Sequence, residues 1–330
     1  MIILLSIGKK IESMEQNISE ISKDLFTFAE YDEKAAELTG YSNYSYWAST
    51  WRVFTKNKIA MLFLTILLSL LLFTFIQPYL PAQKSATEIY LNEETGIQER
   101  NHAPSAEYWF GTNSIGQDLW SRIWSGTRTS LLIGLVVGIW DAAMGILVGS
   151  VWGYVRKMDP IITEIYNVIH NIPSSIILIL VSYILRPSVT TIIFAMCLTG
   201  WLPTARFIRN QIVIIRDREF NLASRCLGTP TGRVITKNLL PQVVSVIMMR
   251  TALAIPLAIG QEVFLTYIGL GLPVSIPSLG NLVNEGRIVM MSSSLRYQLI
   301  FPSIILSLIT ISFYVLGNSF ADAADPRNHV

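Results

Sequence analysis

A few ionisable and amide side chains stand in otherwise apolar stretches of this chain. Asp141 interrupts a run from about Thr129 to Tyr154. Glu164, Asn167, Asn171 and Ser174 recur at helical spacing along the next run, with His170 adjacent. Arg250, Gln261 and Glu262 fall in a later one, separated by Pro256, which can kink a helix between them. Such groups are costly in lipid, so each should face protein or a water-filled cavity. Two readings of the stripe stay open, a cavity lining and an interhelical hydrogen-bond network. As metal chemistry it is weak, because a lone His among amides is a poor ligand set. No Gly-x-x-x-x-Gly-Lys-Ser/Thr phosphate loop occurs, so the chain has no such ATPase site, and no paired nucleophile and base stands out.

The elements that must hold these groups follow from composition. Of 330 residues 51% are hydrophobic and 15% charged, against roughly 25% charged in a soluble domain. Six runs approach the roughly 20 apolar residues that a membrane helix needs. They span 59–80, about 129–154, about 162–185, about 188–208, 242 to about 270, and 297 to about 321. An all-α integral membrane protein with six transmembrane helices is the expected fold. Placing the N-terminus in the cytoplasm leaves 13 Lys and Arg inside and 7 outside, so both termini are expected there. Residues 1–58 then form a cytoplasmic tail, acidic over 12–37, and 81–128 an extracytoplasmic loop with an interfacial elbow. Residues 129–321 form the core and 322–330 a cytoplasmic end. The first ten residues lack the charge order of a secretory signal, and Met1 and Met14 both fit as starts. A net charge of +2 and the absence of a basic run with interleaved aromatics argue against nucleic acid. Cys197 and Cys226 read as two inert thiols.

Within the elbow, Ser114-x-x-Gln117 reads as a capping box, Trp120 and Trp124 as headgroup-level tryptophans, and Gly126 as a bend. The second span carries Gly134, Gly138, Ala142, Gly145, Gly149 and Gly153 at spacings of three and four. That face allows close backbone packing in lipid.

The polar insertion 217–241 is the most informative segment. It cannot lie in lipid and must stand on one membrane face as a docking surface. Asp217 reads as an N-cap, and Glu219 suits the positive helix end. Phe220, Ala223 and Leu227 make one apolar stripe, Gly228 closes the helix, and Thr229-Pro230 restarts one. Ala223 and Ser224 leave a small-residue surface for a partner. Pro241 suits the first turn of the fifth span.

The spacing of Glu219, Ala223, Gly228 and Leu240-Pro241, with Arg225, Arg233 and Lys237, resembles the "EAA" coupling loop of ATP-binding-cassette importer permeases. The fuller pattern looks like the peptide branch. Ser224 replaces the usual second Ala and Asn238 a common His. Gly111-Thr-Asn-Ser-Ile-Gly-Gln-Asp118, continuing to Ser121-Arg122, is similar to the segment before the second span in peptide permeases, with Asn113 and Gln117 where an Asp and an Arg are usual. Phe264 to Pro273, Pro277 to Gly280 and Asp322 to Arg327 match as well. Over roughly residues 45–330 the chain looks most like the C-type permease subunit of oligopeptide importers, particularly of Gram-positive bacteria.

The resemblance implies a type I ABC importer permease fold and a non-enzymatic transport subunit of the plasma membrane. It implies a homologous second permease, two ATP-binding subunits and an extracytoplasmic peptide-binding protein as partners, together with the lipid bilayer. No cofactor or metal is expected on this chain, with ATP and Mg on the ATPase subunits. Glu219, Ala223, Ser224, Arg225, Gly228, Arg233, Leu240 and Pro241 are the expected coupling residues. Asn167, Asn171, Ser174, Gln261 and Glu262 are candidates for the translocation pathway, Glu262 being at a position typical of the family. Dipeptide or nickel import is the alternative within the family. From another class, an ion-coupled secondary transporter would use Asp141, Glu164 and Glu262.

Overall fold

The computed structural model describes residues 46–92 and 96–325. The acidic tail, both candidate starts and Arg327 lie outside the described residues. Among those described there is no strand, only two isolated bridges, Leu91 to Gln98 and Thr112 to Asp118, in the loop before the second span.

Helix α1 (Tyr46–Lys56) leads into α2 (Lys58–Ile76), whose cap Asn57 accepts from the Ile59 and Ala60 amides. Then come α3 (Leu119–Tyr154), α4 (Asp159–His170) and α5 (Ser174–Leu185). Next are α6 (Val189–Thr199), α7 (Trp201–Ile215) and the short α8 (Glu219–Cys226). The chain ends with α9 (Val244–Tyr267), α10 (Leu279–Val289) and α11 (Tyr297–Ala324). Five continuous helical stretches are long and apolar enough to cross a membrane: Lys58–Tyr79, Leu119–Tyr154, Val189–Ile215, Thr231–Tyr267 and Tyr297–Ala324. The pair α4 and α5, bent by 69°, makes a sixth if it counts as one span.

That bend corrects the expectation of one continuous third span. Pro173 supplies no N–H and disfavours helical backbone at Ile172, so the polar stripe is split between two helices. The elbow is corrected too. Helix α3 runs 36 residues without a break through Gly126, about 54 Å at 1.5 Å per residue, and so extends past a hydrocarbon core of about 30 Å. Its cap is Asp118, which accepts from the Ser121 amide at 2.9 Å, and not Ser114. Asn113 holds the preceding turn instead, its Oδ1 accepting from the Ile115 and Gln117 amides. Gly126 is a packing position, since a β-carbon there would lie 3.0 Å from the Ser278 backbone. Trp120 and Trp124 pack into an aromatic cluster with Phe73, and Trp124 is only 6% exposed.

The centre of the fold is α3, lying along α7 and α9, with α11 behind α9. Its glycines set those distances. A β-carbon at Gly134 or Gly138 would come within 2.8 Å of Ile259 or Ile255 on α9. One at Gly145 would meet Thr204 at 2.5 Å, and one at Gly149 the Ala205 carbonyl oxygen at 2.5 Å, both on α7. Helix axes can approach this closely only where no side chain intervenes.

Candidate functional site

The segment 217–241 is built as two short pieces. Helix α8 has Glu219 in its first turn and ends in a Schellman closure, with Gly228 donating to the Arg225 carbonyl and Thr229 to the Ser224 carbonyl. Gly228 has φ +78°, and a β-carbon there would meet nothing within 4 Å. The glycine answers a backbone requirement and not a lack of space. Beyond it, one helical turn at Thr231–Arg233, a π-helical stretch Val234–Leu239 and a 3-10 turn Leu240–Val243 lead into α9. The restart is capped by Pro230, one residue later than the sequence reading placed it.

Asp217 does not cap α8; the cap position is Arg218, with no side-chain bond. Asp217 instead accepts two hydrogen bonds at 2.9 Å from Arg156, in the turn just past the end of α3, and lies 3.5 Å from Arg216 and 4.0 Å from Arg225. Its arginine neighbours are legible in the sequence, but Arg156 is 61 residues away and only the fold brings it in. Asn221, which the sequence reading passed over, is fully buried and donates to the Ile215 carbonyl at 2.8 Å, fixing α8 to the end of α7. The two residues that depart from the usual loop pattern meet each other. Asn238 donates to the Ser224 hydroxyl at 2.9 Å, which in turn donates to the Phe220 carbonyl.

One side of this segment is anchored and the other is open. Val234, Ile235, Leu239 and Val243 join Ile208 and Ile212 of α7 in one buried cluster, with Leu240 packed against it. On the open side Phe220 is 42%, Leu222 39% and Leu227 86% exposed. Glu219, Ala223, Arg225, Arg233 and Pro241 are exposed as well, while Ser224 is half-buried. Helix α8 is tied to the end of α7 by Asn221 and to the π-helical stretch by Asn238, and that stretch packs through the cluster onto α7 and α9.

A second feature is a cavity of about 130 Å³ between α3, α5, α6, α7 and α9. Ser174 and Gln261 line it, as do Asp141 and Arg250. Asn167 and Asn171 are exposed on α4 and at its end, away from it. His170 stacks on Tyr166 with ring centroids 4.9 Å apart. Glu262 is fully buried elsewhere and accepts from the hydroxyls of Ser278 at 2.8 Å, Ser130 at 3.2 Å and Thr266 at 3.2 Å. Ser278 also caps α10, so this carboxylate joins α3, α9 and the start of α10. Three hydroxyls from separate elements converging on one buried carboxyl group suit a structural joint.

The loop between α2 and α3 is tied to α10 by a similar joint. Arg122, wholly buried, donates to Glu285 at 2.7 Å and also to Gln117, and Asn113 donates to both Gln117 and Glu285. The neutral pair Asn113–Gln117, the two positions that depart from the resembled pattern, stays in direct contact at 3.1 Å. Farther out, Lys84 pairs with Glu107 at 2.8 Å and sits 3.3 Å over the Tyr108 ring. Burial opposes the Lys84 charge, but Glu107 and Tyr108 together outweigh it and its pKa is raised, while the hydrogen bond from Lys84 lowers that of Glu107.

Comparison with known proteins agrees with this architecture. Residues 145–330 match the binding-protein-dependent transport system inner membrane component, and residues 45–104 match the N-terminal TM domain of oligopeptide transport permease C. The oligopeptide transport system permease protein AmiD of Streptococcus pneumoniae is 38% identical, over 94% of this chain and 100% of its own length. The dipeptide transport system permease protein DppC of Bacillus subtilis is 33% identical over 96% of this chain and 97% of its own. The oligopeptide transport system permease protein OppC of the same organism is 31% identical over 94% and 99%. A helical fold of membrane-length spans, a polar segment 217–241 anchored on the helical core, and these matches lead to one assignment: the chain is a membrane protein belonging to the family of binding-protein-dependent transport system inner membrane components, a transport subunit and not itself an enzyme.

Proposed function

We propose that this chain forms half of the translocation pathway of an ATP-driven oligopeptide importer. A homologous permease supplies the other half, two ATP-binding subunits carry ATP and Mg, and an extracytoplasmic binding protein delivers the peptide. The chain itself binds no cofactor. It sits in the plasma membrane with both termini and segment 217–241 in the cytoplasm. The observation that carries this reading is the exposed face of α8, with Leu227 86% exposed, on a segment whose other side is locked into the core by Val234, Ile235 and Leu239. An apolar surface of this kind on an otherwise anchored loop marks a protein contact. Closure of the ATPase pair moves α8, and the cluster carries that motion to α7 and α9, a two-state element biased from both ends. Dipeptides are the second substrate reading, favoured by the 33% identity to a dipeptide permease.

Purification through a tag on this chain tests the assembly. Two ATP-binding subunits and a second permease should co-purify, and the ligand bound to the cognate binding protein should be a peptide. Isolation of the chain as a stable, transport-competent homo-oligomer without an ATPase would overturn the proposal.

A further inference from the structure

The cavity is lined by an acid and a base, Asp141 and Arg250, that form no ion pair with each other among the described residues. Asp141 is 8% exposed, and its Oδ1 has no hydrogen-bond donor among the described residues. Half-buried Arg250 opens onto the same cavity, its guanidinium carbon 5.8 Å from the centre of the Phe207 ring. Among the described residues neither takes part in an ion pair within 4.0 Å. Buried charges at membrane depth normally pair with one another or with backbone groups. Here the fold keeps the two apart on one cavity. Gly200, at the junction of α6 and α7, makes room for the carboxylate, since a β-carbon there would lie 2.5 Å from Asp141 Oδ2. Asp141 also shares the α3 face of Gly138 and Gly145, so it is directed into the protein and away from lipid.

We infer that this cavity is a transient binding site for the charged ends of a transiting peptide. Asp141 accepts from the α-ammonium, and Arg250 receives a carboxylate. An ammonium brings three donors and no acceptor. Asp141 with the hydroxyls of Thr199 and Thr204 and the amide oxygen of Gln261 supplies acceptors for them. A bare metal ion fits worse, because no group of three His, Cys, Asp or Glu that could hold one occurs among the described residues. The Arg250 fork can take a carboxylate in two parallel hydrogen bonds. This assignment rests on the peptide reading of the transporter.

The test uses the complete transporter in proteoliposomes, driven by ATP and its loaded binding protein. The substrates are one peptide in free and N-acetylated form, chosen so that the binding protein holds both. The readout is the ratio of the two uptake rates, which does not depend on how much complex is present. Asp141→Asn should lower free-peptide uptake about tenfold and bring the ratio close to one, while Asp141→Glu should keep most of the preference. Arg250→Gln should act in the same way on a free against an amidated C-terminus. A wild-type ratio in Asp141→Asn would overturn the site. So would an equal loss of both substrates in Asp141→Asn and Asp141→Glu, which would mark a positioning role. A wild-type complex that imports neither peptide would instead refute the peptide reading, a result distinct from either.

Discussion

Replacing Gly228 by Val isolates the backbone requirement of the coupling segment. Its φ of +78° lies in the left-handed region, and the space around its Cα is open, so steric clash with neighbours adds nothing. The left-handed conformation costs an L-residue about 1–2 kcal/mol. The two closing hydrogen bonds, Gly228 to Arg225 and Thr229 to Ser224, are lost if the chain leaves it. A penalty of 1–2 kcal/mol lowers the closed-to-open ratio of α8 by about 5–30-fold, which cuts the closed fraction by about 3–15-fold when the two forms start close in energy. Apparent affinity for a partner falls with the competent fraction. Gly228→Val should therefore reduce ATPase co-purification and ATP-dependent uptake by about tenfold at normal membrane abundance. Gly228→Asn, which tolerates the left-handed region, should lose less. Wild-type uptake and ATPase content in Gly228→Val would refute the idea that this closure positions the docking helix.

Gly145→Leu should destabilise the chain and cut membrane abundance, because even a β-carbon there meets Thr204 at 2.5 Å, whereas Ile146→Leu should be tolerated; thermal stability in detergent distinguishes them. Native Cys226, exposed on α8, should resist an impermeant maleimide in intact cells and react in inside-out vesicles freed of ATPase, while Ile97→Cys and Met291→Cys in a cysteine-free background react from outside. External labelling of Cys226 would reverse the orientation. Ser224→Ala and Asn238→Ala should be strongly non-additive for uptake, since each removes the same 2.9 Å bond, and a double-mutant cycle with additive losses would show that the bond carries nothing.

The sequence made the spans, the loop and the left-handed glycine legible because each rests on local chemistry: apolar length, a charged insertion, a helix stop. It misread features set by distant partners. Asp217 looks like a cap in isolation and becomes an arginine hub only when Arg156 arrives from the turn past α3. Glu262 is the one acid in its apolar run, and only the fold shows Ser130 and Ser278 bonded to it. Asn167, Asn171 and Ser174 share a helical period, but Pro173 divides their helix, and only Ser174 reaches the cavity. Asp141 and Arg250 are 109 residues apart by their numbers, and nothing local announces that they share one cavity.

The energy source tests the central claim most directly. In proteoliposomes containing the assembled transporter, labelled peptide on its binding protein should accumulate when ATP and Mg are on the side of segment 217–241, with no ion gradient present. Accumulation driven by a proton or sodium gradient without ATP would contradict the account.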